Sequence, residues 1–205
     1  ITPKHELGEA PYRFNWQTPI LLSSHHPDVL YLGSNKLHRS FDLGETWTTL
    51  SPDLTKGGRK GNVAYGTLTT ISESPLQFGL IYTGSDDGQI HVTKDGGASW
   101  QLISDSLTEG QPDDLWVSRV FASNHNKSRV YASLNGYRND DFTPYLFISE
   151  DYGATWEAID SGLPLQPINV VVEDPHNEEL LFVGNDHGLY AGLHRGKHWI
   201  PFNQG

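Results

Sequence analysis

The chain has 205 residues, 36% of them apolar and 11% aromatic, and this composition excludes an intrinsically disordered segment. Its formal net charge of -11 argues against nucleic acid or an anionic membrane surface as a partner, because both attract clustered Lys and Arg. Its apolar runs fall short of the ~20 residues that a membrane-spanning helix needs, so we expect no membrane insertion.

Residues 1–16 form a lead-in to the first of four similar units. The first unit, residues 17–55, has an apolar run at 19–22, a Pro-containing turn and a second run around Tyr31. It then contains an octet, residues 40–47, whose characteristic positions are Ser40, Asp42, Gly44, Thr46 and Trp47. The pattern predicts four strands: the two runs, the strand that leads into the octet and the strand that starts at its Trp.

The next two units repeat this order. The second unit, residues 63–108, is centred on Tyr82 and has the octet positions Thr93, Asp95, Gly97, Ser99 and Trp100. The third unit, residues 115–162, is centred on Tyr131 and has the octet positions Ser149, Asp151, Gly153, Thr155 and Trp156. We infer a loop insertion at 134–145, because 25 residues separate this tyrosine from its octet Trp, against 16 and 18 in the first two units.

The fourth unit, residues 166–204, is centred on Phe182 and has a degenerate octet. This octet keeps Gly196 and Trp199, but His194 stands where the other three have Asp. Since the Asp side chain is the expected hydrogen-bond acceptor of the turn, we expect a looser turn in this unit.

The central aromatic residues of the four units lie 51, 49 and 51 residues apart. A repeat of about 50 residues that supplies four antiparallel strands has the size of a β-propeller blade. The sequence therefore predicts an all-β fold, a propeller segment of four four-stranded antiparallel blades. In each octet the Asp can accept hydrogen bonds from its own turn, the Gly can take a positive φ and the Trp can pack between sheets.

The octets resemble the Asp-box, or BNR, repeat of sialidases, sortilin-type receptors, xyloglucanases and photosystem II assembly factors. The segment 12–20, together with the first unit, resembles the sortilin-like or BNR-repeat glycosyl hydrolase-like family. The resemblance implies a propeller of about seven blades, of which this chain holds four. It also implies that ligands approach the face opposite the octet turns.

The composition and the two ends of the repeat bear on what surrounds this segment. Cysteine is absent, which excludes disulfides and thiolate metal sites, and Met is absent even at position 1. The first and last units each contain all four of their own strands, so an isolated segment would expose two unpaired edges. We therefore expect the chain to be part of a larger protein that supplies the remaining blades.

On the expected ligand face we select the loops inside the blades and the connectors between them. The candidates are charged or aromatic residues in these segments: Asp86, Asp87, Asp113, Asp114, Trp116, Tyr137, Arg138, Asp140, Asp141, Asp186 and His187. A loop with Tyr, Arg and carboxylates can bind a sugar or a peptide, but the same residues are also common in solvated turns.

No catalytic residue is assigned. The acidic pairs are adjacent in sequence, whereas glycoside hydrolysis needs carboxylates that face each other across about 5–9.5 Å. Neither an arginine triad of the sialidase type nor a Gly-x-Ser-x-Gly elbow is visible. No cofactor and no metal site are expected; calcium on the Asp-rich loops is left as an alternative, although EF-hand spacing is absent.

These features favour a non-catalytic, extracytoplasmic propeller platform that binds protein or glycan partners. The alternative is part of a glycoside hydrolase, of the sialidase or xyloglucanase type, whose active site is completed by blades outside this chain.

Overall fold

A computed structural model describes residues 2–107, 112 and 114–202. The chain forms four separate antiparallel sheets of four strands each, so the predicted all-β class is confirmed. Within every sheet the strands are neighbours in the order in which they follow along the chain. In the described ranges the one helical element is the 3-10 turn Tyr137–Asn139, and no helix is long and apolar enough to span a membrane.

The strands are short, and each sheet takes four consecutive ones. Sheet 1 contains β1 Ile20–Leu22, β2 Leu30–Gly33, β3 Leu37–Ser40 and β4 Thr48–Thr49. Sheet 2 contains β5 Leu68–Glu73, β6 Ile81–Ser85, β7 Ile90–Thr93 and β8 Gln101–Leu102. Sheet 3 contains β9 Trp116–Ala122, β10 Val130–Asn135, β11 Leu146–Ser149 and β12 Glu157–Ala158. Sheet 4 contains β13 Ile168–Glu173, β14 Leu181–Asn185, β15 Gly188–Leu193 and β16 His198–Pro201.

Three apolar cores lie between consecutive sheets, and a tyrosine on a second strand contributes to each. Tyr31 packs between sheets 1 and 2, Tyr82 between sheets 2 and 3, and Tyr131 between sheets 3 and 4. All three rings are fully buried. Because side chains alternate along a strand, one face of sheets 2 and 3 packs on the preceding sheet and the other face on the following sheet.

The first three octets form the same hydrogen-bonded turn, which joins the third strand to the fourth. In the first, Asp42 accepts the backbone N–H of Thr46 at 2.8 Å and the hydroxyls of Thr46 and Ser40 at 2.6 Å. These bonds to Ser40 and Thr46 lower the pKa of Asp42 to about 2. Gly44 has a φ of 93°, a conformation that costs other residues strain. Asp95 and Asp151 accept the matching set of bonds.

The fourth turn is shorter than the other three, so the expectation of a looser turn is wrong. Strand pairing in sheet 4 continues to Leu193 and His198, which leaves residues 194–197 as the turn. His194 and Arg195 both have positive φ, at 52° and 58°, and the backbone N–H of Arg195 donates to Glu179 at 3.0 Å. Gly196 follows with a φ of 83°, so three successive residues with positive φ reverse the chain in this shorter turn.

The octet tryptophans tie each sheet to the one before it. Three of them donate the indole N–H to the backbone carbonyl that follows the preceding sheet's fourth strand: Trp100 to Leu50 at 3.0 Å, Trp156 to Ile103 at 2.9 Å and Trp199 to Ile159 at 2.7 Å. Trp47 belongs to the first sheet, and its buried indole N–H has no hydrogen-bond partner among the described residues.

Two of the three junctions between sheets also contain a buried glutamate. Glu173 of sheet 4 accepts the hydroxyls of Ser123 at 2.7 Å and Tyr131 at 2.9 Å, and it pairs with the buried Arg129 at 3.2 Å. Glu73 of sheet 2 accepts the corresponding hydroxyls of Ser23 and Tyr31, at 2.5 and 2.8 Å. Burial, followed by the neighbouring glutamate, raises the pKa of Tyr31 and of Tyr131 well above the ordinary tyrosine value.

The lead-in folds back onto sheet 1. The Arg13 guanidinium donates to Asp53 at 2.7 Å and to the Gly66 carbonyl at 3.0 Å, so it holds two parts of the first connector. Further upstream, the Tyr12 ring lies over the His38 ring with centroids 4.6 Å apart. The lead-in therefore covers the outer strands of sheet 1 on the face that points away from sheet 2.

Candidate functional site

The loop face is the side opposite the octet turns, where second strands lead into third strands and connectors join the sheets. Two of the carboxylates expected to face a ligand are buried there. Asp86 accepts the backbone N–H groups of Gly66 and Thr67, both at 2.9 Å, and the Thr67 hydroxyl at 2.6 Å. Asp86 therefore fixes the end of the first connector against sheet 2.

Asp87 is also buried and holds a different point of the same connector. Its carboxylate accepts the Ser85 hydroxyl at 2.5 Å and the Lys56 backbone N–H at 2.7 Å. Burial raises the pKa of Asp87 above the ordinary value, and the negative charge of Asp86 adds to this. Both aspartates therefore hold the first connector in place against sheet 2.

Asp114 lies nearer to solvent and links two connectors. It pairs with Lys56 at 2.8 Å and with the guanidinium of Arg59, which lies 3.9 Å from the centre of the Tyr65 ring. Partial burial acts to raise the pKa of Asp114, but Lys56 and Arg59 outweigh it and lower the value. Burial raises the pKa of Tyr65 to about 12, and Asp114 contributes. Asp113 lies outside the described residues.

The inserted loop of sheet 3 is folded around one carboxylate. Asp141 accepts the backbone N–H of Thr143 at 3.0 Å and the Tyr145 hydroxyl at 2.7 Å. Asp140 has a positive φ of 55° after the 3-10 turn, and the Tyr137 and Phe142 rings meet edge to face at 6.0 Å. These contacts order the loop and present the exposed Arg138 toward the middle of the loop face.

Arg138 stacks on Trp116, and the pair marks the centre of the candidate site. The guanidinium carbon lies 3.8 Å from the centre of the Trp116 ring, which is half-buried. Among the described residues no carboxylate pairs with Arg138, whereas Asp114 and Asp141 are engaged by other groups. The arginine therefore keeps its hydrogen-bond donors for another acceptor.

Three adjoining depressions, which together we call the central groove, meet at this pair. The largest two measure about 560 and 590 Å³ and the third about 290 Å³. Trp116 and Arg138 line all three. The exposed Trp16 and Val63 give one side an apolar wall, Asn169 supplies an amide on the other side, and Gln17 lines both of the larger depressions.

Three residues that line the groove or its rim occupy equivalent bulges in first strands. Thr69, Ser118 and Asn169 are the extra residues where the registers of β5, β9 and β13 shift against their second strands. The Thr69 hydroxyl donates to the Val117 carbonyl and the Ser118 hydroxyl to the Ile168 carbonyl, both at 2.6 Å. A bulge turns a side chain out of the alternation, and here it places these three residues at the groove.

The remaining candidates, Asp186 and His187, lie at the edge of the groove formed by sheet 4. Asp186 accepts the amide of Asn169 at 2.7 Å, and Asn169 in turn accepts the amide of Asn135 at 3.0 Å. This chain of polar groups joins sheets 3 and 4 across the groove. His187 is exposed in the turn before β15, where its backbone N–H donates to Asn185.

No protein-family model matches the sequence, and no curated protein sequence matches it. Solved structures do match. The GH74 xyloglucanase from Xanthomonas campestris is similar with a TM-score of 0.69 and 16% identity, over 96% of this chain and 32% of that one. An ancestral GH74 enzyme gives 0.65 and 19%, over 93% and 24%. YCF48 bound to D1 peptide gives 0.56 and 16%, over 97% and 56%.

The fold is that of a β-propeller segment. Identities this low show the fold alone, and the chain spans between about a quarter and somewhat over half of the propeller chains that it matches. The predicted segment of four four-stranded blades is confirmed. The central groove then lies at the propeller axis, where the first strands of successive blades approach one another.

The axis residues of the propeller were missed by reasoning from sequence. That reasoning selected Trp116, Tyr137, Arg138 and Asp186 of the groove, but not Gln17, Thr69, Ser118 or Asn169. The available signal was a polar residue near the start of the first strands of sheets 2, 3 and 4. For metals, no group of three or more His, Asp or Glu in the described part of the chain could hold an ion.

Proposed function

We propose that this chain is a non-catalytic propeller platform, part of a larger extracytoplasmic protein, whose central groove binds an acidic segment of a protein or glycan partner. The observation that carries the proposal is Arg138, stacked on Trp116 where three depressions meet. A planar cation on an aromatic ring is a ready partner for a carboxylate and for stacked rings.

The platform interpretation is also supported by the structural roles of the other charged residues on the loop face. Asp86 and Asp87 are buried beneath the loops, and Asp114 is paired with two cations. Carboxylates in such roles hold a surface in shape and leave Arg138 as the group that meets a partner. A preorganised surface of this kind loses little conformational entropy when a partner binds.

We assign the octets to the Asp-box, or BNR, repeat and the chain to a sortilin-like or glycosyl hydrolase-like parent. The three identical Asp-centred turns support the assignment, together with the Ser/Thr-x-Asp-x-Gly-x-Ser/Thr-Trp spacing. YCF48, one of the similar propellers, has been solved with a bound peptide, and this supports peptide as one class of partner.

The second candidate function is that of one part of a glycoside hydrolase. The similarity to GH74 enzymes, among them a xyloglucanase, favours it. In that case a carboxylate from another blade would face the groove across about 5–9.5 Å from an acid of this chain. Release of sugar from xyloglucan by the protein, lost in a carboxylate variant, would replace the platform proposal.

The test is a binding screen of the chain against acidic peptides and a glycan panel that includes xyloglucan, followed by titration calorimetry on the best probe. Trp116→Ala and Arg138→Ala are each expected to weaken binding at least tenfold, about 1.4 kcal/mol. The matched controls, Phe41→Ala and Arg195→Ala, replace an aromatic residue and an arginine on the octet face and should leave affinity unchanged. Binding that survives both groove variants, or no binding to any probe, would overturn the proposal.

A further inference from the structure

Arg138 is the one cation of the central groove that no carboxylate of the described chain neutralises. The other cation that lines the groove, Arg59, pairs with Asp114. In the depression of about 590 Å³, Arg138 is the single charged residue among the described residues of the lining. The arginine is exposed and stacks on the Trp116 ring, so the N–H donors at the edge of its guanidinium remain accessible. The groove therefore has a place for one carboxylate of a ligand.

A second carboxylate does not fit the opposite edge of the groove. Asp186 lines the same depression of about 560 Å³ as Arg138, and it lies at the edge formed by sheet 4. It would repel a further negative charge on the ligand, and the chain as a whole has a formal net charge of -11. The groove thus favours a ligand with one carboxylate among neutral groups over a ligand with a run of carboxylates.

The amides beside Asp186 are suited to hydroxyl groups. An amide nitrogen carries two hydrogens. Asn135 donates one of them to Asn169 at 3.0 Å, and Asn169 donates one to Asp186 at 2.7 Å, so each amide keeps a second N–H. A hydroxyl group both accepts and donates, so it can accept from Asn169 and donate to Asp186. Gln17 adds an exposed amide that makes no side-chain hydrogen bond within the described ranges.

Two indole rings line the remaining part of the groove. Trp16 is 83% exposed, and it lines the depression of about 590 Å³ together with the half-buried Trp116. One face of a pyranose ring presents C–H groups, which pack on an indole ring as an apolar surface does. The two larger depressions fall within the range of small-molecule sites, about 300–1,000 Å³, so each has room for a sugar residue.

Given the binding function proposed for the central groove, we propose that its ligand is a neutral glycan chain that carries one uronic acid residue. The carboxylate of this residue accepts two parallel hydrogen bonds from the Arg138 guanidinium, for which the planar fork of arginine is suited. A neighbouring neutral sugar packs on Trp16. The hydroxyl groups of another sugar bind Asn169 and Asp186.

The main experiment is titration calorimetry of the chain with two matched oligosaccharides. The first is a xylo-oligosaccharide with one glucuronic acid side residue, and the second is the same compound after reduction of its carboxyl group to an alcohol. The acid is expected to bind about ten- to a hundredfold more tightly, because hydrogen bonds to a charged group are the stronger ones. Equal affinities for the two compounds would overturn the proposal.

Variants locate the carboxylate in the groove. Arg138→Ala should bind both compounds with similar affinity, whereas Arg138→Lys keeps the charge without the fork and should retain part of the preference for the acid. Asn169→Ala should weaken both compounds by about two- to tenfold and leave the preference intact. Arg195→Ala, which removes an arginine of the octet face, is the control and should change neither affinity. A preference that survives in Arg138→Ala would assign the carboxylate to another cation and overturn the proposal.

Two further probes separate this ligand from the broader binding function. Trigalacturonic acid carries three carboxylates and is expected to bind more weakly than the single acid, because a second carboxylate meets Asp186. Tighter binding of trigalacturonic acid would overturn the single-carboxylate ligand. An acidic peptide that binds through Arg138, while no oligosaccharide binds, would overturn the glycan and leave the proposed function standing. Absence of binding to every probe would overturn both.

Discussion

The octet face and the loop face use the same residue type in opposite ways. On the octet face, Asp42, Asp95 and Asp151 accept the same set of bonds in three successive turns. On the loop face, Asp86 and Asp114 hold different parts of the first connector by different contacts. A repeat therefore determines structure where its hydrogen bonds form within one unit. Recognition is left to the face where each unit differs from the next.

The largest expected effect is a difference in the free energy of unfolding between variants of two buried glutamates that occupy equivalent positions in the repeat. Glu173→Ala leaves Arg129 without its buried partner and should lower the free energy of unfolding by about 3–5 kcal/mol. Glu73→Ala removes hydrogen bonds but strands no buried ion-pair partner, and about 1–3 kcal/mol is expected. Urea unfolding of the two variants measures the difference.

A double variant, Arg129→Leu with Glu173→Leu, is the control for the ion pair. It removes both charges and should recover part of the stability lost in the single variant. Equal costs for Glu73→Ala and Glu173→Ala would show that Glu150 and Glu178, which also contact Arg129, are sufficient partners for it without Glu173.

A smaller effect tests whether the loop-face aspartates are structural. Asp86→Ala leaves the N–H groups of Gly66 and Thr67 without acceptors, so about 2–3 kcal/mol of stability should be lost. Asp114→Ala removes exposed ion pairs and should cost less than about 1 kcal/mol. Thermal unfolding of both variants checks this, and the reverse order would place Asp86 among the ligand-binding groups.

Bonds inside one repeat unit made the blades and octet turns predictable. Asp42 and Thr46 lie four residues apart, so the motif itself contains the contact. The glutamate junctions were not predictable, because Glu73 and Tyr31 meet only after two sheets stack. A single sequence carries no sign of that register.

Only part of the groove could be predicted from the sequence, because some of its residues depend on contacts between strands. The inserted loop identified Arg138 by its length, and Trp116 stood out in a connector. Thr69, Ser118 and Asn169 reach the axis through bulges, and a bulge depends on pairing with a second strand. Asp86 was correctly placed in a loop, but its burial depends on the connector that folds over it.

The smallest expected effect is on the pH dependence of stability, to which two buried histidines inside the sheets should contribute and the octet aspartates should not. Burial lowers the pKa of His38 and of His91 from the ordinary 6.5 to about 4. The unfolded chain binds protons on these histidines as the pH falls below 6.5, while the folded chain stays neutral down to about 4. Stability should therefore decrease as the pH falls through this window.

Between pH 7 and pH 5 each histidine should account for about 1–2 kcal/mol of this decrease. His38→Gln is expected to reduce the difference in unfolding free energy between the two pH values by that amount, measured by urea titration at each. Asp42→Asn is the control: its carboxyl has a pKa of about 2 in the fold, so both states stay ionised from pH 5 to 7. If Asp42→Asn changed the difference and His38→Gln did not, acid sensitivity would lie in the octet turns, and these turns would be the less robust part of the propeller.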